Sequence, residues 1–431
     1  MKESLINVNL IGARLLDPLQ SIDKIANLYI RRGKIYLDPP EEKSKTTVKD
    51  IPLTNHIIIP GAFDMRVHSR IPGPESCETF ETISRAASRG GFTGILTMPD
   101  TSPCCDNAGT IRYIQDRIKQ HSSIPIWVSG ALTKGREGKL MAPLGSLKEA
   151  GIVAASDCPR PSVNSQIFLN SVQYAKMFDL PVIEYPQDFQ LSQEGNAHES
   201  PLSLKMGLGG YPRVAEEIAV QRAIAVSKLL EVNIHLSSVS STGSVVALRQ
   251  AKEDGIKITA DVTAAHLLLN EHAISQYDTN AKLTPPLREE EDRMQLIKGV
   301  LDGSIDAITS AHLPCPSHLK QIEFDKSPSG AIGLETCISA SIEGLATLCK
   351  DPYPALVNAI SYAPRKVLKL NQHSIQNNEL ANLTVINGSC KWRYNVEADN
   401  SNASNSPLNN HTFNTGVVYT VVNGSLVYCS I

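Results

Sequence analysis

The chain has 431 residues, 42% hydrophobic and 20% charged, the make-up of an ordinary globular protein with room for one large domain and one small one. A formal net charge of -3 excludes a general nucleic-acid binder, because no basic excess is available to neutralise phosphates. No apolar run reaches the roughly 18 residues that span a membrane, and the opening MKESLINVNLIGARLL lacks the sustained apolar stretch of a signal peptide. The nine cysteines are scattered with no C-x-x-C pair, so free thiols in a reducing, cytoplasmic compartment are expected.

Residues 1–56 read as short strands and turns, with a hairpin turning at Gly33. From Ile57 the pattern changes to strand, loop and helix, repeated. ETFETISRAASRGG is a helix stopped by Gly90 and Gly91, and GILTMP is the strand after it. SQIFLNSVQYAKMFDLPVIEY, RVAEEIAVQRAIAVSKLLEVNIHLSSVS, SVVALRQAKEDGIKITADVT and RMQLIKGVLDGSIDAITSAH repeat the unit. About eight such units imply parallel strands with right-handed crossovers, and predict a (β/α)8 barrel of the TIM type over 57–379. Strands return after residue 380, where Asn423-Gly424 closes a hairpin. The segments 1–56 and 380–431 therefore combine into a small β-sandwich domain. Residues 395–414, rich in Asn and Ser, read as a mobile surface loop.

The stretch PGAFDMRVHSR, residues 60–70, follows an apolar run at 57–59. Strand alternation puts Arg66, His68 and Arg70 on one face. Two histidines at 66 and 68 would chelate a metal at a barrel mouth. An arginine at 66 cannot, having no lone pair to give.

Together with GGFTGILTMPDTSP, EAGIVAASD, HLSSVSSTGSV, ITADVTAAHLLL, KLTPPLR, DGSIDAITSAHLP and SGAIGLET, this stretch resembles the dihydroorotases of the amidohydrolase superfamily over nearly the whole chain. The resemblance implies a metal-activated water that cuts a cyclic amide. It also assigns the family's metal-site positions to Arg66, His68, Cys158, Tyr185, Ser238 and Ala311, the last being that of the catalytic aspartate. Its substrate-pocket positions fall on Arg70, Asp100, Thr284 and Cys315. Of the six metal-site positions only His68 keeps its ligand, which predicts that the family zinc is lost, with no metal and no other cofactor. Arg66 is expected to be held by Asp157 or Asp100 as a buried ion pair. A soft metal site rebuilt from His68, Cys158, His312 and Cys315 is a lesser alternative. The acidic run 289–292 is expected at a helix start.

The expectation that follows is a catalytically silent homologue, a pseudoenzyme of pyrimidine biosynthesis kept as a structural or regulatory partner. The partner implied by the resemblance is the aspartate carbamoyltransferase catalytic subunit, in an oligomer. The alternative is an active amidohydrolase with an atypical site, acting on dihydroorotate or another cyclic amide or ureide.

Overall fold

Ten-residue strands β1 (Val8–Asp17) and β2 (Ile22–Arg31) pair antiparallel, and β3 (Lys34–Tyr36) returns along β2 through the turn at Gly33, which has φ +73°. The computed structural model describes residues 5–40 and 48–430. Strands β4 (Lys49–Pro52) and β5 (His56–Pro60) lie parallel to β1. The first five barrel strands are β6 (Ala62–Val67), β7 (Phe92–Thr97), β8 (Ile126–Ala131), β9 (Ala154–Ser156) and β10 (Val182–Glu184). Two short pairing strands, β11 (Ala197–His198) and β12 (Gly210–Tyr211), precede β13 (Ile234–Leu236), β14 (Ile258–Thr263) and β15 (Ala307–Thr309). The chain ends with β16 (Leu383–Asn387), β17 (Trp392–Arg393), β18 (Thr412–Phe413), β19 (Gly416–Val422) and β20 (Ser425–Cys429).

Strands from both ends of the chain form one eight-stranded mixed sheet, ordered β20-β19-β16-β5-β1-β2-β3 with β4 beside β1. It packs its own core of Leu15, Leu28, Ile30, Ile58, Leu383 and Val385. The apolar run 57–59 belongs to this sheet, so the barrel begins after Gly61, at Ala62, and not at Ile57. Apolarity alone does not say which sheet a strand joins.

The second sheet is parallel and runs β6 through β10, then β13, β14 and β15. It closes through the bridge between Val67 and His312, with the His68 N–H donating to the His312 carbonyl at 2.8 Å. The (β/α)8 architecture is therefore as expected. Phe63, Met65, Leu96, Ile183, Tyr185 and Ala307 fill the barrel, while Ala62, Val67, Phe92, Ile95 and Val128 face the helices. Helix Phe80–Arg89 starts where the Thr79 hydroxyl accepts the Thr82 N–H and Thr82 returns the bond. Helix Arg213–Leu230 buries Ala215, Ala219, Ala223 and Val226, a stripe at helical spacing that faces the barrel. Among the described residues no helix is long and apolar enough to cross a membrane.

Residues 395–414 are not a free loop. They lie across the open end of the barrel, and the buried Asn405 side chain fastens them. Its Nδ2 donates to the Leu313 and Gly330 carbonyls at 3.0 Å each, and its Oδ1 accepts the Cys315 N–H at 3.0 Å. Ser401 donates to Glu78 at 2.7 Å, and Asn400 binds Glu335 through its backbone and its amide. Asn and Ser read as solvent-facing by composition, yet here they satisfy loop carbonyls that would otherwise be buried without partners.

Candidate functional site

Ligands of a barrel of this kind sit where strands end and loops begin. At that face a cavity of about 40 Å3 is lined by Arg66, His68, Thr263, His266, Thr284, Ser310 and Ala311. Leu313, Ile332, Pro407 and Leu408 form its apolar wall. The ladder between β6 and β7 slips between Asp64 and Val67, and Asp64 Oδ1 accepts the Arg66 N–H at 3.0 Å. This bulge aims Arg66 at the cavity although Met65 beside it also points into the barrel. Ser238 and Ala311, at the ends of two other strands, take the left-handed backbone at φ +61° and +48°. A side chain at such an angle costs roughly 1–2 kcal/mol, and such strain gathers at sites of function.

Arg66 is 2% exposed. Its Nη1 donates to the Ser238 hydroxyl, and its guanidinium carbon lies 5.6 Å from the centre of the Tyr185 ring. Burial works against its charge, but Cys158, Asp261 and Tyr185 outweigh burial and hold its pKa above the ordinary value. Burial pushes the Cys158 thiol up to about 11, so the anion behind Arg66 at neutral pH is Asp261. Burial alone would raise the Asp261 pKa. The hydrogen bond from His235 Nε2 at 3.0 Å and the charges of His235 and Arg66 bring it below the usual carboxylate range. The expected partners of Arg66 are thus corrected. Asp157 instead caps the neighbouring loop after β8, accepting the Leu132 and Thr133 N–H groups at 3.0 Å and the Thr133 hydroxyl at 2.5 Å. Asp100 turns to His68 and Arg70.

His68 is 1% exposed, with Nδ1 3.0 Å from Asp100 Oδ2 and no hydrogen-bond partner for Nε2. Burial lowers its pKa more than Asp100 raises it, so the imidazole is neutral at pH 7. The neighbouring carboxylate fixes the proton on Nδ1, which leaves the Nε2 lone pair bare. Burial would raise Asp100, but His68, Arg70 and Arg136 bring it far below the usual range. His266 is already spent. It takes the Thr263 hydroxyl on Nδ1 at 2.7 Å and gives Nε2–H to the Pro286 carbonyl at 3.3 Å, and burial lowers its pKa to about 4. His312 pairs through Nε2 with Glu78 at 3.0 Å.

The ten positions named from the sequence therefore divide. Arg66, His68, Thr284 and Ala311 line the cavity. Tyr185, Ser238 and Cys158 surround the guanidinium from below, with the Tyr185 hydroxyl 2.8 Å from Thr284 Oγ1. Asp100 stands behind His68. Arg70 and Cys315 do not line the cavity: Arg70, at φ +52°, leaves the strand geometry and lies one-third exposed, and Cys315 is buried beneath Asn405. Sequence reasoning missed Asp261 and Asn405. Asp261 did leave a signal, a lone carboxylate in the apolar strand Ile258–Thr263.

Zinc takes three or four lone-pair donors. The six family positions offer one imidazole and one neutral thiol around a fixed cation, so these residues do not fit a metal ion at this point. Among the described residues, three metal-type side chains cluster elsewhere, at His198, Glu289 and Asp292. Arg213 already binds both carboxylates there. Arg288 donates to His198 Nδ1 at 3.2 Å, so the imidazole proton sits on Nε2, the atom facing Glu289 at 3.7 Å. The cluster is an ion network at the start of helix Glu290–Asp302, where the acidic run was expected.

Residues 55–244 match the family model described as dihydro-orotase-like. Curated relatives named dihydroorotase align over almost the full chain. That of Solibacter usitatus is 34% identical over 416 residues, covering 96% of each chain, and that of Geobacter metallireducens 33% over 427 residues, covering 98% of this chain and all of the relative. The chain belongs to the dihydroorotase family. In solved structures the fold is shared with an L-hydantoinase (dihydropyrimidinase) from Arthrobacter aurescens at 18% identity and TM-score 0.86, covering 98% of this chain and 96% of that one. A dihydropyrimidinase from Brevibacillus agri, at 19% identity and TM-score 0.82, covers 98% of this chain and 95% of its own. These kinships overturn the expectation of a catalytically silent scaffold. The dihydroorotase relatives carry an enzyme's name across the same full length.

Proposed function

We propose that the protein is a cyclic amidohydrolase with an atypical site, opening dihydroorotate or another cyclic amide or ureide at the mouth of its barrel. The observation that carries this reading is the end-to-end kinship with dihydroorotases at 33–34% identity. The buried cavity supports it, because Arg66 offers a cation to a carbonyl oxygen and His68 offers a bare nitrogen. The family zinc is not part of the reading at positions 66, 68, 158, 185, 238 and 311. Aspartate carbamoyltransferase, implied by the resemblance, is retained as the partner in a complex of two enzymes. A cytoplasmic location, as the scattered cysteines without a C-x-x-C pair suggest, belongs to the same reading.

The test is ring opening of dihydroorotate, hydantoin and dihydrouracil, followed by chromatography in both directions. Turnover of at least one ring above the protein-free rate is the expected result. No turnover of any ring, with or without added zinc, removes the reading. Co-elution with aspartate carbamoyltransferase tests the partner separately.

A further inference from the structure

We infer that this site cuts its cyclic amide without a metal ion: Arg66 supplies the positive charge for the carbonyl oxygen, and His68, held by Asp100, takes the proton of the attacking water. The inference rests on the proposed hydrolase reading and adds to it the groups that do the chemistry.

Two side chains at one cavity keep buried nitrogens without a hydrogen-bond partner: Arg66 at Nε, and His68 at Nε2 and at Nδ1, the last in ion-pair contact with Asp100 Oδ2 at 3.0 Å. Leaving such groups unpaired costs about 1–3 kcal/mol each, so a site that keeps both open fits a bound polar molecule. They come from one strand end, two residues apart, with the bulge at Asp64 setting the direction of the first. Each has a fixed support. Asp261 stands behind Arg66 through Ser238, accepting the Ser238 N–H at 2.8 Å and its hydroxyl at 3.3 Å. Asp100 holds His68 in the tautomer whose lone pair is on Nε2.

The cavity has room for about three waters, enough for the nucleophile. Water oxygen bonds to the amide carbon as one of its protons passes to His68 Nε2. The electron pair of the carbonyl moves onto oxygen and is met by Arg66. When the pair returns, the ring C–N bond breaks and the proton on His68 goes to the leaving nitrogen. One water is consumed, and a carboxylic acid and an N–H group are formed. A preorganised donor at the oxyanion contributes about 10²–10³ in rate, and a positioned base about 10²–10⁴. In metal-dependent hydrolysis one ion polarises the carbonyl and activates the water. Here the two tasks fall to two side chains.

The experiment uses the full chain after dialysis against a chelator, with metal content read by mass spectrometry and the three rings as probes. Turnover is expected to persist with well under one metal ion per chain. His68→Ala is expected to lower kcat about 100-fold or more with KM within about threefold, and added imidazole to restore part of it. His68→Asn, which keeps a polar side chain in place, guards against a folding failure and is expected to lose kcat alike. Arg66→Met is expected to lose about 100-fold or more, and Arg66→Lys to keep part of the rate. Turnover that vanishes on chelation and returns with zinc, or an unchanged kcat in His68→Asn, overturns the inference and leaves the hydrolase reading standing. No turnover of any ring in any state overturns the reading, and the inference with it.

Discussion

Arg66 and Arg365 are both buried in this barrel, and their settings differ. Arg365 lies near the strand starts, 1% exposed, its guanidinium carbon 5.0 Å from the Phe63 ring centre and 6.0 Å from that of Trp127. Its nitrogens reach only neutral acceptors, Thr93 Oγ1 and the Asn371 carbonyl at 3.4 Å each, and burial lowers its pKa to about 9. Arg66 lies at the strand ends with a carboxylate behind it, a cavity in front, and a pKa held up by charge. A cation boxed by ring faces is a packing piece. A cation backed by an anion and open on one side is available to a ligand.

The largest effect should come from removing the anion on which the second setting depends. Asp261 accepts from His235, Ser238 and Thr309 as well as facing Arg66. Asp261→Asn leaves a buried cation without its counter-charge and is expected to cost about 3–5 kcal/mol, read as a lowered urea midpoint with an unchanged slope. A loss below about 1 kcal/mol would mean that Arg66 draws its stability from elsewhere.

A second break concerns access. A six-membered ring exceeds a cavity that holds about three waters, so the strap carrying Pro407 and Leu408 has to lift to admit one. Asn405→Ala removes three hydrogen bonds and is expected to cost about 1–3 kcal/mol. Iodoacetamide labelling of Cys315, beneath the strap, should rise about tenfold or more, while Cys337 in helix Cys337–Ala346 stays protected. If both thiols label together, the strap opens only when the whole protein unfolds.

What the sequence disclosed, and what it hid, follows the same division. The barrel was legible because short apolar runs and helical stripes repeat with fixed periods. Arg66 and His68 were legible as one face because they stand two residues apart at a strand end. Arg70 was not, because the strand stops at Val67 and the chain turns left-handed at residue 70. Asp261 as the true counter-charge was hidden because 195 positions separate it from Arg66 and only the closed barrel brings them together. The strap was misread because composition reports what a segment can hydrogen-bond, not with what.

A third, smaller effect is one of pH. Glu335 anchors the strap through Asn400 and pairs with Arg89 at 3.1 Å. Burial and the nearby Asp399 raise its pKa to about 8, despite Arg89 and Asn400. A carboxyl raised in the folded state binds more protons there than in the unfolded chain. Its contribution to stability is therefore full below about pH 4.5 and is lost as pH rises towards 8. Glu335→Gln should flatten stability over that window, measured by denaturant midpoints at several pH values. An unchanged slope would assign the pH dependence to other carboxyls, such as Glu184, which burial raises to about 7.

The smallest effect is expected at Arg365, and it tests the other half of the comparison. Its guanidinium has lost its water and gained no carboxylate, so charge contributes cost there rather than stability. Methionine has a similar reach, fills irregular space and makes favourable contacts with rings. Arg365→Met gives up two long hydrogen bonds and the attraction to Phe63 and Trp127, and recovers the desolvation of a buried ion. The two sides nearly cancel, and a change within about 1 kcal/mol in the denaturant midpoint is expected. A loss of several kcal/mol, comparable with that of Asp261→Asn, would show that ring faces can hold a buried cation as firmly as a carboxylate does. The contrast between the two arginines would then lie only in the cavity that one of them faces.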